Sequence, residues 1–91
     1  MATIVIPTPL RKFTNQQSKI EVSGSTLQEA ISDLTLQFPD LKKNLLDENN
    51  KLRSFVNVFV QDEDIRNLQG ELTPITENNT ISIIPAIAGG L

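Results

Sequence analysis

Hydrophobic positions recur with two different periods along the chain, and each change of period predicts a new element. Residues 3–7 alternate, with Ile4 and Ile6 on one face and Thr3 and Val5 on the other, as a short strand does. Residues 18–23 alternate again, Ile20 and Val22 inward and Lys19 and Glu21 outward. Between them, residues 8–17 hold Pro9, Asn15 and two glutamines and read as a long loop with Leu10 or Phe13 tucked back. The two strands are expected to pair antiparallel. After Gly24-Ser25-Thr26 the period becomes helical. Leu27, Ala30, Ile31, Leu34 and Phe38 form one apolar stripe, while Gln28, Glu29, Ser32 and Asp33 fall on the wet side. Thr26 followed by Glu29 fits a capping box, in which each side chain accepts from a backbone N–H left free by the first turn. Pro39 ends the helix, because the residue before a proline is pushed out of helical geometry.

Residues 40–50 predict a short helical turn around Leu41, Leu45 and Leu46, then a polar loop. Phe55-Val56-Asn57-Val58-Phe59-Val60 is β-branched or aromatic at five of six positions, which makes it the strongest strand. Its alternation sets Val56, Val58 and Val60 against Phe55, Asn57 and Phe59. Residues 61–64 read as a turn and 65–68 as a short edge strand. Pro74 and the turn at Glu77-Asn78-Asn79 lead to a last strand over 80–84, with Ile81 and Ile83 inward. One amphipathic helix and one sheet must cover each other, since each alone leaves an apolar face in water. The last strand can pair parallel to the first with the helix in the crossover. Periodicity by itself therefore predicts a small α+β roll over 1–85, followed by a flexible tail, 86–91, with no pattern to hold it down.

Composition narrows the chemistry. A chain of 91 residues supports one domain and one core. It has no Cys, His, Trp or Tyr, which excludes disulfides, a thiolate nucleophile, a cysteine-held iron–sulfur cluster and the usual acid/base near neutral pH. A self-contained enzyme is not expected. The net charge is −3, and Arg11-Lys12 and Lys42-Lys43 are the only adjacent basic pairs, which argues against nucleic acid. No run reaches transmembrane length and no targeting pattern opens the chain, so a cytoplasmic location and no membrane contact are expected. No bound cofactor and no metal are expected either: there is no EF-hand spacing, and Asp62-Glu63-Asp64 reads as a solvated hairpin tip. Lys42, Lys43 and Arg53 either stay wet or receive a partner's acidic surface. Asn57, a polar residue in mid-strand, either bonds backbone near the tail or faces water.

Three stretches bear a family resemblance. Phe55-Val56-Asn57-Val58 with its acidic turn, and Ile81-Ser82-Ile83-Ile84-Pro85-Ala86-Ile87-Ala88-Gly89-Gly90, resemble the MoaD/ThiS family of ubiquitin-like sulfur carriers. That family ends in a strand, a proline, a few small or aliphatic residues and Gly-Gly. The opening Thr26-Leu27-Gln28-Glu29-Ala30-Ile31 is similar to the family's Thr-Leu-x-Glu-Ala-hydrophobic helix start. Ile6-Pro7-Thr8-Pro9-Leu10-Arg11 and residues 55–66 are similar to the branch that delivers sulfur for cysteine biosynthesis.

The resemblance implies a ubiquitin-like β-grasp: a mixed four- to five-stranded sheet with one main helix on one face. It also implies a protein co-substrate with no catalytic residues of its own. An E1-like activating enzyme would use ATP and Mg²⁺ to adenylate the Gly90 carboxylate. A sulfur donor would then displace AMP, leaving a thiocarboxylate for a sulfur-accepting synthase. Gly89 and Gly90 suit a narrow channel because they lack Cβ atoms and take dihedrals closed to other residues. Two departures stand out. Asn78-Asn79 replaces the family's Gly-Asp turn, which Asn tolerates. Leu91 follows Gly90 and blocks its carboxylate, so a peptidase must remove Leu91 or the chain is inactive as it stands. The related alternatives are a small subunit of a molybdopterin-synthase-type complex, and a ubiquitin-like modifier or interaction module.

The sheet face away from the helix is the second candidate site. Val5, Phe59 and Ile84 fall on it, with Phe55 at its end and Ile87 just beyond in the tail. Two readings compete. Either these residues form an exposed apolar patch on which a partner docks, or the 8–17 loop folds over and hides them.

Overall fold

The computed structural model describes residues 1–85; residues 86–91, the expected tail with Ile87, Gly89, Gly90 and Leu91, lie outside the described residues. Five strands form one sheet in the order β2-β1-β5-β3-β4. They are β1 (Ala2–Val5), β2 (Lys19–Val22), β3 (Val56–Val60), β4 (Glu63–Asp64) and β5 (Thr80–Pro85). β1 runs antiparallel to β2, with Ile4 opposite Ile20, and parallel to β5, with Ile4 opposite Ile81. β3 runs antiparallel to β5, with Val58 opposite Ile83. The mixed sheet and the parallel pairing of first and last strands agree with the arrangement expected of a β-grasp.

Helix α1 (Leu27–Gln37) covers one face of the sheet and buries Leu27, Ala30, Ile31 and Leu34, as its stripe requires. From the sheet come Ile4, Ile6, Ile20, Val22, Val56, Val58, Val60, Ile81 and Ile83, all buried. Leu41, Leu45 and Leu46 close one side of this core from a 3₁₀ turn (Pro39–Leu41) and the short helix α2 (Lys42–Leu45). No helix among the described residues is long and apolar enough to cross a membrane.

The start of α1 is held from several sides. Thr26 Oγ1 accepts from the Glu29 N–H at 3.3 Å. The Glu29 carboxylate, however, reaches one residue beyond the cap, accepting from the Ser25 N–H at 2.8 Å and the Ser25 hydroxyl at 3.1 Å. The segment at 73–75 lies against this turn as a short bridge: Leu27 N–H donates to the Thr73 carbonyl and Ile75 N–H to the Ser25 carbonyl. The bond from the Ser25 N–H, followed by that from its hydroxyl, holds the Glu29 carboxyl below its ordinary pKa. Gly24 has φ +143°, and a Cβ there would stand 2.7 Å from the Glu29 Cβ. Only glycine lets the chain leave β2 and begin the helix so close to that side chain.

Two expectations are corrected. Residues 8–17 are not a plain loop, since Thr8–Phe13 forms a 3₁₀ helix, which tucks Leu10 and Phe13 back against the core as expected. Thr14 is fully buried after it, its hydroxyl donating to the Gln17 carbonyl at 2.8 Å. The edge strand lies at Glu63–Asp64, and Ile65–Asn67 is a 3₁₀ turn. The reason is local. Gln61 and Asp62 both take positive φ (52° and 70°), making a two-residue reversal that starts the return strand at once. The Asp64 carboxylate then accepts from the Arg66 N–H at 2.8 Å and caps the turn that ends the strand.

Candidate functional site

The tail is attached at the middle of the sheet. β5 is the third of five strands, and its last residue, Pro85, lies opposite Val56 of β3. Whatever follows Pro85 therefore starts at one end of the sheet with β1 on one side and β3 on the other.

Strand register lays out the outer face. One row across all five strands reads Lys19, Val5, Ser82, Phe59, Asp64. Val5 and Phe59 thus flank Ser82 and are half-buried. One step nearer the tail, Ile84 stands opposite Asn57 and is 51% exposed. Phe55, 45% exposed, lies just before β3, beside Pro85. The structure brings Val5, Phe59 and Ile84 together on one face and places Phe55 at its tail end. Thr8–Phe13 turns Leu10 and Phe13 to the core, so it leaves Ile84 open. The 8–17 segment does not cover Ile84 or Phe55, while Val5 and Phe59 stay half-buried. Asn57 shares this outer face, half-buried beside Ile84.

Polar groups frame the patch. Arg66 holds Asp64 in a 2.7 Å ion pair, and the same side-chain bonds keep the Asp64 carboxyl below its ordinary pKa and raise that of Arg66. Asp62 and Glu63 project at the exposed hairpin tip. Among the described residues no three carboxylates gather where they could hold a metal ion.

Sequence reasoning missed the surroundings of the tail's root. Pro9, Leu10, Lys12, Phe13, Asn44, Phe55 and Pro85 line a shallow cleft of about 210 Å³. The Lys12 ammonium lies 5.2 Å from the centre of the Phe13 ring, within reach of a cation–π contact. Parallel pairing of β1 with β5 was the available signal, because it carries the residues after β1 to the end where β5 stops.

Comparison with known proteins agrees with this layout. The profile of the ThiS family matches residues 4–90, from β1 through both tail glycines. The sulfur carrier protein CysO of Mycobacterium tuberculosis is 41% identical over 90 residues, covering 97% of each chain. A chain of the crystal structure of the Amycolatopsis orientalis BexX/CysO complex superposes with a TM-score of 0.90 at 38% identity, covering 99% of this chain and 100% of that one. The crystal structure of Mycobacterium tuberculosis CysO, an antigen, gives a TM-score of 0.87 at 38% identity, covering 96% and 100%. These neighbours share the ubiquitin-like β-grasp, a mixed five-stranded sheet with its helix packed on one face. The profile match over 4–90 and the end-to-end likeness to proteins named CysO place this chain in the ThiS family.

Proposed function

We propose that the chain is a sulfur carrier whose Gly90 carboxylate, freed of Leu91, is adenylated and then converted to a thiocarboxylate. The carboxylate oxygen attacks the α-phosphorus of ATP, held with Mg²⁺ by an E1-like activating enzyme, and pyrophosphate leaves. A sulfide-level sulfur nucleophile then attacks the acyl carbon and AMP leaves. The thiocarboxylate sulfur passes to an acceptor in a synthase, with cysteine biosynthesis the process this reading favours. The observation that carries the proposal is the family match running through Gly90, on a chain without His or Cys to do chemistry otherwise. The name of the Mycobacterium relatives, sulfur carrier protein, points the same way.

Intact mass of the protein purified from its own cells tests the reading. Loss of Leu91, with a fraction of molecules carrying sulfur in place of one oxygen, is the expected result. A single species that keeps Leu91 even under sulfur starvation overturns it. Adducts joined to lysines of other proteins would favour a modifier instead.

The outer face is where the activating enzyme docks under this proposal. Ile84 and Phe59 supply its apolar centre, and a few well-packed central side chains carry most of the energy of such interfaces. Ile84→Glu is expected to lower the adenylation rate at limiting carrier by about tenfold or more. Its thermal midpoint should stay within a few degrees of the parent, because the site is half-exposed. Unchanged adenylation by Ile84→Glu and Phe59→Glu would remove the docking role from this face.

A further inference from the structure

Charge is divided between the two ends of this molecule. At the end where β5 stops stand Arg11, Lys12, Lys43 and Arg53. Lys12 shares the cleft with Pro85. Arg11 follows β1, and its Nε donates to the Ile6 carbonyl at 3.0 Å. Arg53 immediately precedes β3, whose Val56 faces Pro85, and its Nε donates to the Lys43 carbonyl at 2.9 Å. At the other end, Glu21 stands at the foot of the sheet opposite Thr3, Asp62 and Glu63 form the hairpin tip, and Glu77 precedes β5. The N-terminal amine, 3.8 Å from Glu77, is the cation paired there among the described residues.

The division is not averaged out. β5 has six residues, so at about 3.3 Å per residue the two ends lie about 17 Å apart. That is about twice the screening length at physiological salt. At the tail end the four cations outnumber the carboxylates beside them, Asp40, Asp47 and Glu71, although the chain as a whole carries −3. Asp40 is the acidic residue of the turn packed against Thr8–Phe13, the element that bears Arg11 and Lys12. Glu71 and Asp64 share a cavity with Arg53, Asp64 is already taken by Arg66, and Asp47, which accepts from the Asn49 and Lys51 N–H groups, is the further carboxylate that feels the Arg53 charge. Two of the four cations are held in place: each arginine is anchored through Nε, which leaves its terminal amino groups for a ligand. A guanidinium fixed in this way binds a carboxylate with little further ordering cost.

We propose that this cationic collar around the root of the tail steers the chain, tail first, onto a partner whose tail-accepting mouth is rimmed by Asp and Glu. The proposal rests on the sulfur-carrier reading for the partner's identity, the activating enzyme, and adds the charge of the surface that receives the collar. Steering of this kind raises association rates by about 10- to 1,000-fold at low ionic strength and fades as salt rises.

Stopped-flow association of the full chain with the activating enzyme, without ATP, tests it from about 20 mM to about 500 mM salt (about 20 to 4 Å of screening). Lys12→Glu/Lys43→Glu should associate about tenfold more slowly than the parent at low salt and converge with it at high salt. Asn78→Glu, exposed in the turn before β5 at the far end of the sheet, should stay within twofold. Equal loss in Asn78→Glu would show that net charge alone matters and overturn the collar, as would no loss in the double variant or no association at all. Docking is read without chemistry, so a chain that associates in this pattern yet is never adenylated would sink the carrier reading and leave the collar standing.

Discussion

A chain that keeps Leu91 is expected to support ATP–pyrophosphate exchange at least a thousandfold more slowly than the same chain ending at Gly90. In the longer chain the Gly90 carbonyl is an amide and has no oxygen nucleophile for the α-phosphorus. The only α-carboxylate belongs to Leu91, one residue and about 3.5 Å further along. Misplacing a reacting group by about 1 Å already costs on the order of a hundredfold. The leucine adds a branched side chain where a narrow channel tolerates glycine. Purified activating enzyme, Mg²⁺–ATP and each chain in turn provide the measurement. Comparable exchange by the two chains would move the reactive carboxylate away from Gly90 and dismantle the proposed chemistry at its first step.

The second large effect falls on stability. Leu34→Ala should destabilise the domain by about 3 kcal/mol, within the range for emptying a fully buried leucine site. Small domains hold only about 5–15 kcal/mol in reserve. For a chain of this size that loss lowers the thermal midpoint by about 12–24 °C. Leu36→Ala, two residues on, should change it by no more than a degree or two, because Leu36 is 79% exposed. Thermal melts of the two variants followed by far-UV circular dichroism separate the cases. Similar losses for both would mean that the helix does not present its 27-30-31-34 stripe to the sheet.

Those two leucines show how far local pattern carries. The stripe containing Leu34 and omitting Leu36 is legible in the order of residues alone, because helical period is set by residues within two turns of one another. Strand alternation is legible for the same reason. Ile20 and Val22 against Lys19 and Glu21, and Val56, Val58 and Val60 against Asn57 and Phe59, lie on the faces their spacing assigns. The parallel partnership of first and last strands was within reach as well, once a single helix had to cover a single sheet.

What periodicity missed lies where distant segments meet. Gln61 and Asp62 took up the positive dihedrals usually left to glycine or asparagine, so the reversal came early and the edge strand fell at Glu63–Asp64. Thr8–Phe13 looked like a loop because its proline and polar residues carry no period. It became a 3₁₀ helix by packing Leu10 and Phe13 onto a core built mostly from later residues. The same packing keeps this segment off Ile84.

The amino-acid sequence alone determined β1, β2, α1, β3 and β5, their inward faces and the presence of Gly89-Gly90, since each is a property of neighbouring residues. Tertiary structure alone decided that Ile84 stays open and that Gly24 must be a glycine. It also gathered Arg11, Lys12, Lys43 and Arg53 at the end of the sheet where Pro85 lies. The physical reason is sheet pairing: β1 beside β5 and β3 opposite it bring together segments dozens of residues apart, and no local period records that meeting.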